Sequence, residues 1–119
     1  MLCYDGLTGD LLKAELRDGT LHCSNDADKF MEPLFQEYLE RGIKTYLRGD
    51  SGFSYPKLYK TCEMNGCSYA IRLKQNSSLM ALASDKDKDL YNATKEDQIS
   101  YAVTYGEFLY QAGSWDYLK

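Results

Sequence analysis

Between Phe30 and Leu73 the hydrophobic pattern switches repeatedly between helical and extended periods, and each helical stretch ends at a glycine. Phe30, Met31, Leu34, Phe35, Tyr38 and Leu39 recur at three- and four-residue spacing, which puts them on one helical face while Glu32, Glu37, Glu40 and Arg41 face water. Ser24, Asn25 and Asp26 offer N-capping side chains, and Gly42 a C-terminal cap. A short strand over residues 43–47 is predicted next, leading into Arg48-Gly49-Asp50-Ser51-Gly52. Pro56 sits in the first turn of a second helix, residues 55–64, which Asn65-Gly66 ends. Residues 67–73 then alternate as a strand, with Tyr69 and Ile71 against Ala70 and Arg72. Upstream, residues 2–5 and 10–17 are strand-like runs around the turn Gly6-Leu7-Thr8-Gly9, which predicts a hairpin. The order β-β-α-β-α-β predicts a mixed α/β domain with helices packed on a central sheet.

Beyond this stretch, Ser84-Asp85-Lys86-Asp87-Lys88-Asp89 has no apolar content to bury and is expected to be a charged, solvated loop. Residues 99–103 and 107–111 look like strands, with Gly106 and Gly113 as turn residues. The expected organisation is therefore a core over residues 1–83 and, over residues 84–119, a charged loop and the start of a β-rich insertion. A chain of 119 residues fits one small domain. With 44% hydrophobic and 27% charged residues it belongs to neither the disordered nor the membrane-spanning class. It has no apolar run near the ~18 residues that cross a bilayer, and its first residues lack the basic-then-apolar pattern of a secretory leader. A cytoplasmic location is expected.

Cys3, Cys23, Cys62 and Cys67 form no C-x-x-C pair, and His22 is the single histidine, so zinc-ligand spacing is missing. Reduced, partly buried thiols are the expectation. A net charge of −4 argues against a stand-alone nucleic-acid binder, which needs a clustered basic surface. It leaves room for a catalytic core that other segments hold on DNA, where acidic residues bind metal and the metal faces phosphate.

The most suggestive local feature is a carboxylate in a glycine-flanked turn directly after a strand, Leu47-Arg48-Gly49-Asp50-Ser51-Gly52-Phe53. Ligands of α/β proteins gather at the carboxyl ends of strands, where loops leave the sheet and backbone groups are free. Magnesium and manganese take hard oxygen ligands, commonly one or two carboxylates plus water and substrate phosphate, so Asp50 can be half of such a site. On spacing alone, an aspartate between glycines is more often a turn former. Nothing points to secretion, so Arg48-Gly49-Asp50 is not read as an adhesion signal.

Residues 2–17, the following Gly19-Thr20-Leu21-His22, the turn at residues 47–53 and Tyr69-Ala70-Ile71-Arg72-Leu73-Lys74 are similar to successive blocks of DDE transposases of the insertion-sequence group 1 type. Tyr105-Gly106-Glu107-Phe108 and residues 110–115 resemble the same group just ahead of its last catalytic block. The resemblance runs in order over nearly the whole chain. It implies a ribonuclease H-like fold in which two aspartates and a glutamate hold two Mg2+ or Mn2+ ions, with Asp50 as the second aspartate. One ion would activate water or a DNA 3′-hydroxyl while the other stabilises the leaving oxygen in in-line attack on phosphorus. The family's first aspartate lies on a strand ahead of the hairpin and its glutamate beyond Ser114-Trp115-Asp116, so this chain is expected to be a central fragment with one of the three carboxylates. Asp5 and Glu107 match neither motif. The absent strand normally lies between the hairpin and the strand entering Asp50. Those two strands must then pair directly or leave an edge for another chain, and self-association as a homodimer is expected.

His22 follows a block resembling the family's Arg-Pro-Gly-Asn-x-His, with Asp18 and Thr20 where proline and asparagine are usual. It is a candidate DNA contact, although helix capping or a surface position is the commoner fate of a lone histidine. Arg48, Arg72 and Lys74 are candidate phosphate contacts by the same resemblance, each weak alone because exposed basic residues are commonplace. Trp115, Tyr101, Tyr105 and Tyr110 invite a base-stacking reading, against which stands simple aromatic packing. Two functions follow. One is a fragment of a metal-dependent DNA strand-transfer enzyme, inactive without its missing segments. The other is a non-catalytic relic of a transposase that binds DNA or a protein. Neither calls for a membrane or a small-molecule substrate.

Overall fold

The computed structural model describes residues 1–95 and 101–116, and these divide into two compact units, Met1–Leu73 and Lys74–Lys119. The first unit opens with the hairpin, β1 (Leu2–Tyr4) antiparallel to β2 (Leu11–Ala14). Its turn is closed by Asp5, whose Oδ1 accepts from the backbone N–H groups of Leu7 at 2.7 Å and Thr8 at 2.9 Å. Gly9 takes φ of +79°, a left-handed conformation that costs glycine nothing, and its N–H returns to Asp5 O.

Helix α1 (Ala27–Glu40) buries Phe30, Met31 and Phe35 and half-buries Leu34 and Tyr38. Leu39, expected on the same face, is 52% exposed. Asp26 stands at the N-cap in a left-handed conformation and makes no side-chain cap bond, pairing instead with Lys29 at 2.6 Å. The helix start is held from outside. The Tyr55 hydroxyl accepts from the Asp28 N–H at 2.9 Å and donates to Asp28 Oδ1 at 2.6 Å.

Both glycine stops work through the same geometry. After α1, Gly42 N–H bonds Leu39 O and Ile43 N–H bonds Tyr38 O; after α2 (Pro56–Met64), Gly66 N–H bonds Glu63 O and Cys67 N–H bonds Cys62 O. These are Schellman motifs, with each glycine at positive φ. They explain two boundary shifts. Ile43 and Cys67, read as strand starts, finish helices instead, so the strands begin later: β3 is Tyr46–Gly49 and β4 is Ser68–Ile71. Cys62 and Cys67 meet in the core for the same reason. Burial, and then the neighbouring Cys67 sulfur, push the Cys62 thiol well above its ordinary range. All four cysteines are free thiols.

β3 and β4 pair in parallel, with Tyr46 opposite Ser68 and Gly49 opposite Ile71. Among the described residues β1 pairs only with β2 and β3 only with β4, giving two separate two-stranded sheets. Of the alternatives posed by the sequence, the strands do not pair directly and their edges stay open. The core of α1 and α2 residues, with Leu58 and Cys62 fully buried, underlies both sheets. Lys13 ties the hairpin to α1, donating to Phe30 O at 2.6 Å with its ammonium 4.7 Å from the Phe30 ring centre.

The second unit carries helix α3 (Ser77–Thr94), which runs straight through the segment expected to be a charged loop. Asn76 caps it, accepting from Leu79 N–H at 2.9 Å, and the good helix formers Leu79, Met80, Ala81, Leu82 and Ala83 carry it onward. Its charges stand in solvent, with Lys88 3.7 Å from Asp85 one turn away. Residues 107–111 form no strand, and residues 99 and 100 of the other expected strand lie outside the described residues; residues 101–103 are not in a strand either. Among the described residues no neighbouring strand is present to supply the ladder that an isolated extended segment needs. Trp115 is buried, edge-on to Tyr110 at 5.6 Å, and Asn76 donates to the Tyr110 hydroxyl at 2.9 Å.

Candidate functional site

Asp50 leaves the carboxyl end of β3 and begins a single 3-10 turn, Ser51–Phe53. Its Oδ1 accepts from the Gly52 N–H at 2.8 Å, so the aspartate does form the turn, as its spacing suggested. That bond also fixes the carboxylate direction, and the residue remains exposed to an incoming ion or phosphate. Turn former and candidate ligand are thus one geometry.

The turn is backed by a segment to which the sequence assigned no part in it. Cys23 Sγ donates to Gly52 O at 3.4 Å. A Cβ on Gly52 would stand 2.5 Å from Cys23 Sγ and 3.0 Å from Asp50 Oδ1, so this position needs glycine for space. A glycine two residues after a strand-end aspartate is the only sequence signal of this contact. Gly49 is less tight, with Phe53 Cβ at 3.4 Å and Ile71 Cγ1 at 3.5 Å.

His22 is exposed, and its Nδ1 lies 2.8 Å from Ser24 Oγ, 3.2 Å from the donating Ser24 N–H and 3.7 Å from Cys23 Sγ. It is therefore adjacent to the residue that touches the Asp50 turn. Arg48 lies on β3 opposite Ala70, and the Arg72 N–H bonds Gly49 O at 3.2 Å, immediately before Asp50. Both arginines are exposed and line one groove with Asp50. Lys74 begins the second unit and is exposed.

Among the described residues no group of three or more His, Cys, Asp or Glu side chains could hold a metal ion. Asp50 alone fits part of a magnesium or manganese site, which needs further oxygens. Asp5, set aside on motif grounds, is occupied by the hairpin turn: the N–H groups of Thr8 and then Leu7 hold its carboxyl below the ordinary range. Tyr101 and Tyr105 are 80% and 89% exposed, whereas Trp115 is packed. No helix among the described residues is long and apolar enough to cross a membrane.

Compared with known proteins, residues 1–118 match the family model described as Transposase DDE domain group 1. No curated protein and no solved structure matches the chain.

Proposed function

Because the chain belongs to the transposase DDE domain group 1 family, we propose that it is the part of an insertion-sequence transposase that presents Asp50 to the catalytic metal. The observation that carries this reading is the exposed Asp50 carboxylate at the end of a parallel strand, aimed by the Gly52 N–H. When bound, Mg2+ or Mn2+ supplies Lewis-acid stabilisation of charge at phosphorus and its entering and leaving oxygens. Asp50 would be one ligand. The first aspartate and the glutamate come from outside these residues, so the chain by itself is inactive.

Arg48 and Arg72, exposed beside Asp50, are suited to DNA phosphates, with His22 and Lys74 as further contacts. Strand cleavage and transfer at transposon ends, in the cytoplasm, with a homodimer formed across the open strand edges, complete the reading. Residues 1–83 would be the catalytic core and residues 84–119 the start of the insertion.

The test is strand cleavage and joining with manganese on DNA bearing the element's ends. It compares this chain, a chain extended to include both other carboxylate blocks, and Asp50→Ala in the extended chain. Activity only in the extended chain, falling at least ~100-fold in Asp50→Ala, is expected, the scale on which single electrostatic catalytic groups act. Activity of this chain alone would contradict the assignment, and silence in all three would favour a relic that binds DNA or protein.

A further inference from the structure

Residues 17–22, the stretch that resembles Arg-Pro-Gly-Asn-x-His, fold back on themselves together with Cys23 and Ser24. Arg17, just after β2, donates through Nη1 to Cys23 O at 3.1 Å and through Nη2 to His22 O at 3.4 Å. Inside that span Asp18 Oδ1 accepts from the Thr20 N–H at 2.9 Å and from the Thr20 hydroxyl at 2.8 Å, so the two residues that depart from the usual block bond each other. The Leu21 N–H adds a bond to Asp18 O. His22 is engaged locally as well. Its Nδ1 accepts from the Ser24 N–H at 3.2 Å, a group that can only donate, and lies 2.8 Å from Ser24 Oγ. The side-chain hydrogen bond by which this braced loop reaches a distant element comes from Cys23.

Cys23 Sγ has two acceptors within reach, Gly52 O at 3.4 Å and His22 Nδ1 at 3.7 Å. Ser24 already takes the Nδ1 lone pair, so the thiol proton is directed to Gly52 O. The sulfur also fills the side of Gly52 where a Cβ would stand, 2.5 Å away. Gly52 in turn donates its N–H to Asp50 Oδ1 at 2.8 Å. A continuous path therefore runs from the Arg17 guanidinium, through Cys23, to Gly52 and the Asp50 carboxylate. A single 3-10 turn such as Ser51–Phe53 has poor hydrogen-bond geometry of its own, so an outside brace on Gly52 governs where that carboxylate points.

We propose that Arg17 and Cys23 are positioning residues for Asp50: the loop that Arg17 braces holds Gly52 through the Cys23 thiol and so sets the carboxylate toward the metal. Neither residue touches the reacting atoms. This role rests on the reading of Asp50 as a metal ligand, whereas the path itself is measurable in the metal-free chain, so the two can fail separately.

The first measurement is amide hydrogen exchange in this chain without metal. Cys23→Ala is expected to speed exchange of the Gly52 amide ~10-fold or more, with the Gly42 and Gly66 amides and the circular dichroism spectrum unchanged. Cys23→Ser keeps a donor and should keep the Gly52 amide slow. Arg17→Ala should act like Cys23→Ala, and the double variant should be no faster than either single one, because both cut the same path. The second measurement is strand cleavage by the extended chain. Its kcat should fall at least ~10-fold in Cys23→Ala, toward the ~100-fold that a misplaced catalytic group can cost. The Mn2+ concentration giving half the maximal rate should rise, KM for the DNA ends should hold, and Cys23→Ser should recover most of the rate. A Gly52 amide indifferent to Cys23→Ala, additive effects in the double variant, or Cys23→Ser no better than Cys23→Ala would overturn the assignment. A loss confined to KM would overturn it too, making the loop a DNA contact. An extended native chain without activity would sink the transposase reading and the positioning role with it, whatever the amides show.

Discussion

Gly52 is where a single missing carbon decides the shape of the candidate site. Its backbone N–H aims Asp50, its carbonyl accepts from Cys23, and its absent side chain leaves the 2.5 Å that Cys23 Sγ occupies. Gly52→Ala is expected to destabilise the protein by about 1–3 kcal/mol, as overpacking does, measured by urea denaturation. Adding Cys23→Ala should restore part of the loss, since the sulfur is the nearest obstacle and the Asp50 oxygen at 3.0 Å remains. An unchanged midpoint in the single variant would mean that the two segments do not touch. Asp50 itself was visible in the sequence because a strand-end aspartate between glycines is a local pattern. Cys23 was not visible as its support, because the contact joins residues 29 apart through a side chain with no motif.

At the scale of the element, the hairpin is the one whose turn depends on ionisation. The Asp5 carboxyl is held below 3.8 first by the Thr8 N–H and then by the Leu7 N–H. A lowered folded value means that its contribution is fully present above the unfolded value and is lost as pH falls through the folded one. Acidification below pH 3.8 should therefore loosen β1 against β2, seen as faster exchange of the Asp5 and Gly9 amides, and Asp5→Asn should remove that acid step. No acid step in the native protein would refute the role of the carboxylate. The α1 and α2 spans were largely legible, because an apolar period and a terminal glycine act within a few residues. Helix α3 was not, since a run of alternating Asp and Lys is compatible both with a loop and with a solvated helix face, and the deciding help comes from Asn76 and the Leu-Met-Ala stretch before it.

For the molecule as a whole, stability of the first unit rests on few residues, with Leu58 1% exposed beneath both small sheets. Leu58→Ala should cost about 2–5 kcal/mol, a large share of the ~5–15 kcal/mol typical of a domain, and shift the urea midpoint accordingly. A change within error would mean that the sheets do not share this core. The expected sheet is present only as two halves, because the groove between them is lined by edges that no strand of the same unit fills. By itself the sequence determined the mixed α/β class, the hairpin, both glycine-stopped helices and the position of Asp50, all consequences of patterns shorter than a helix. Only the tertiary structure decided that Tyr55 holds the start of α1, that Cys23 backs the Asp50 turn and that β1 and β3 do not pair. Those outcomes depend on which distant groups satisfy a hydrogen bond or fill a space, and no local period encodes that choice.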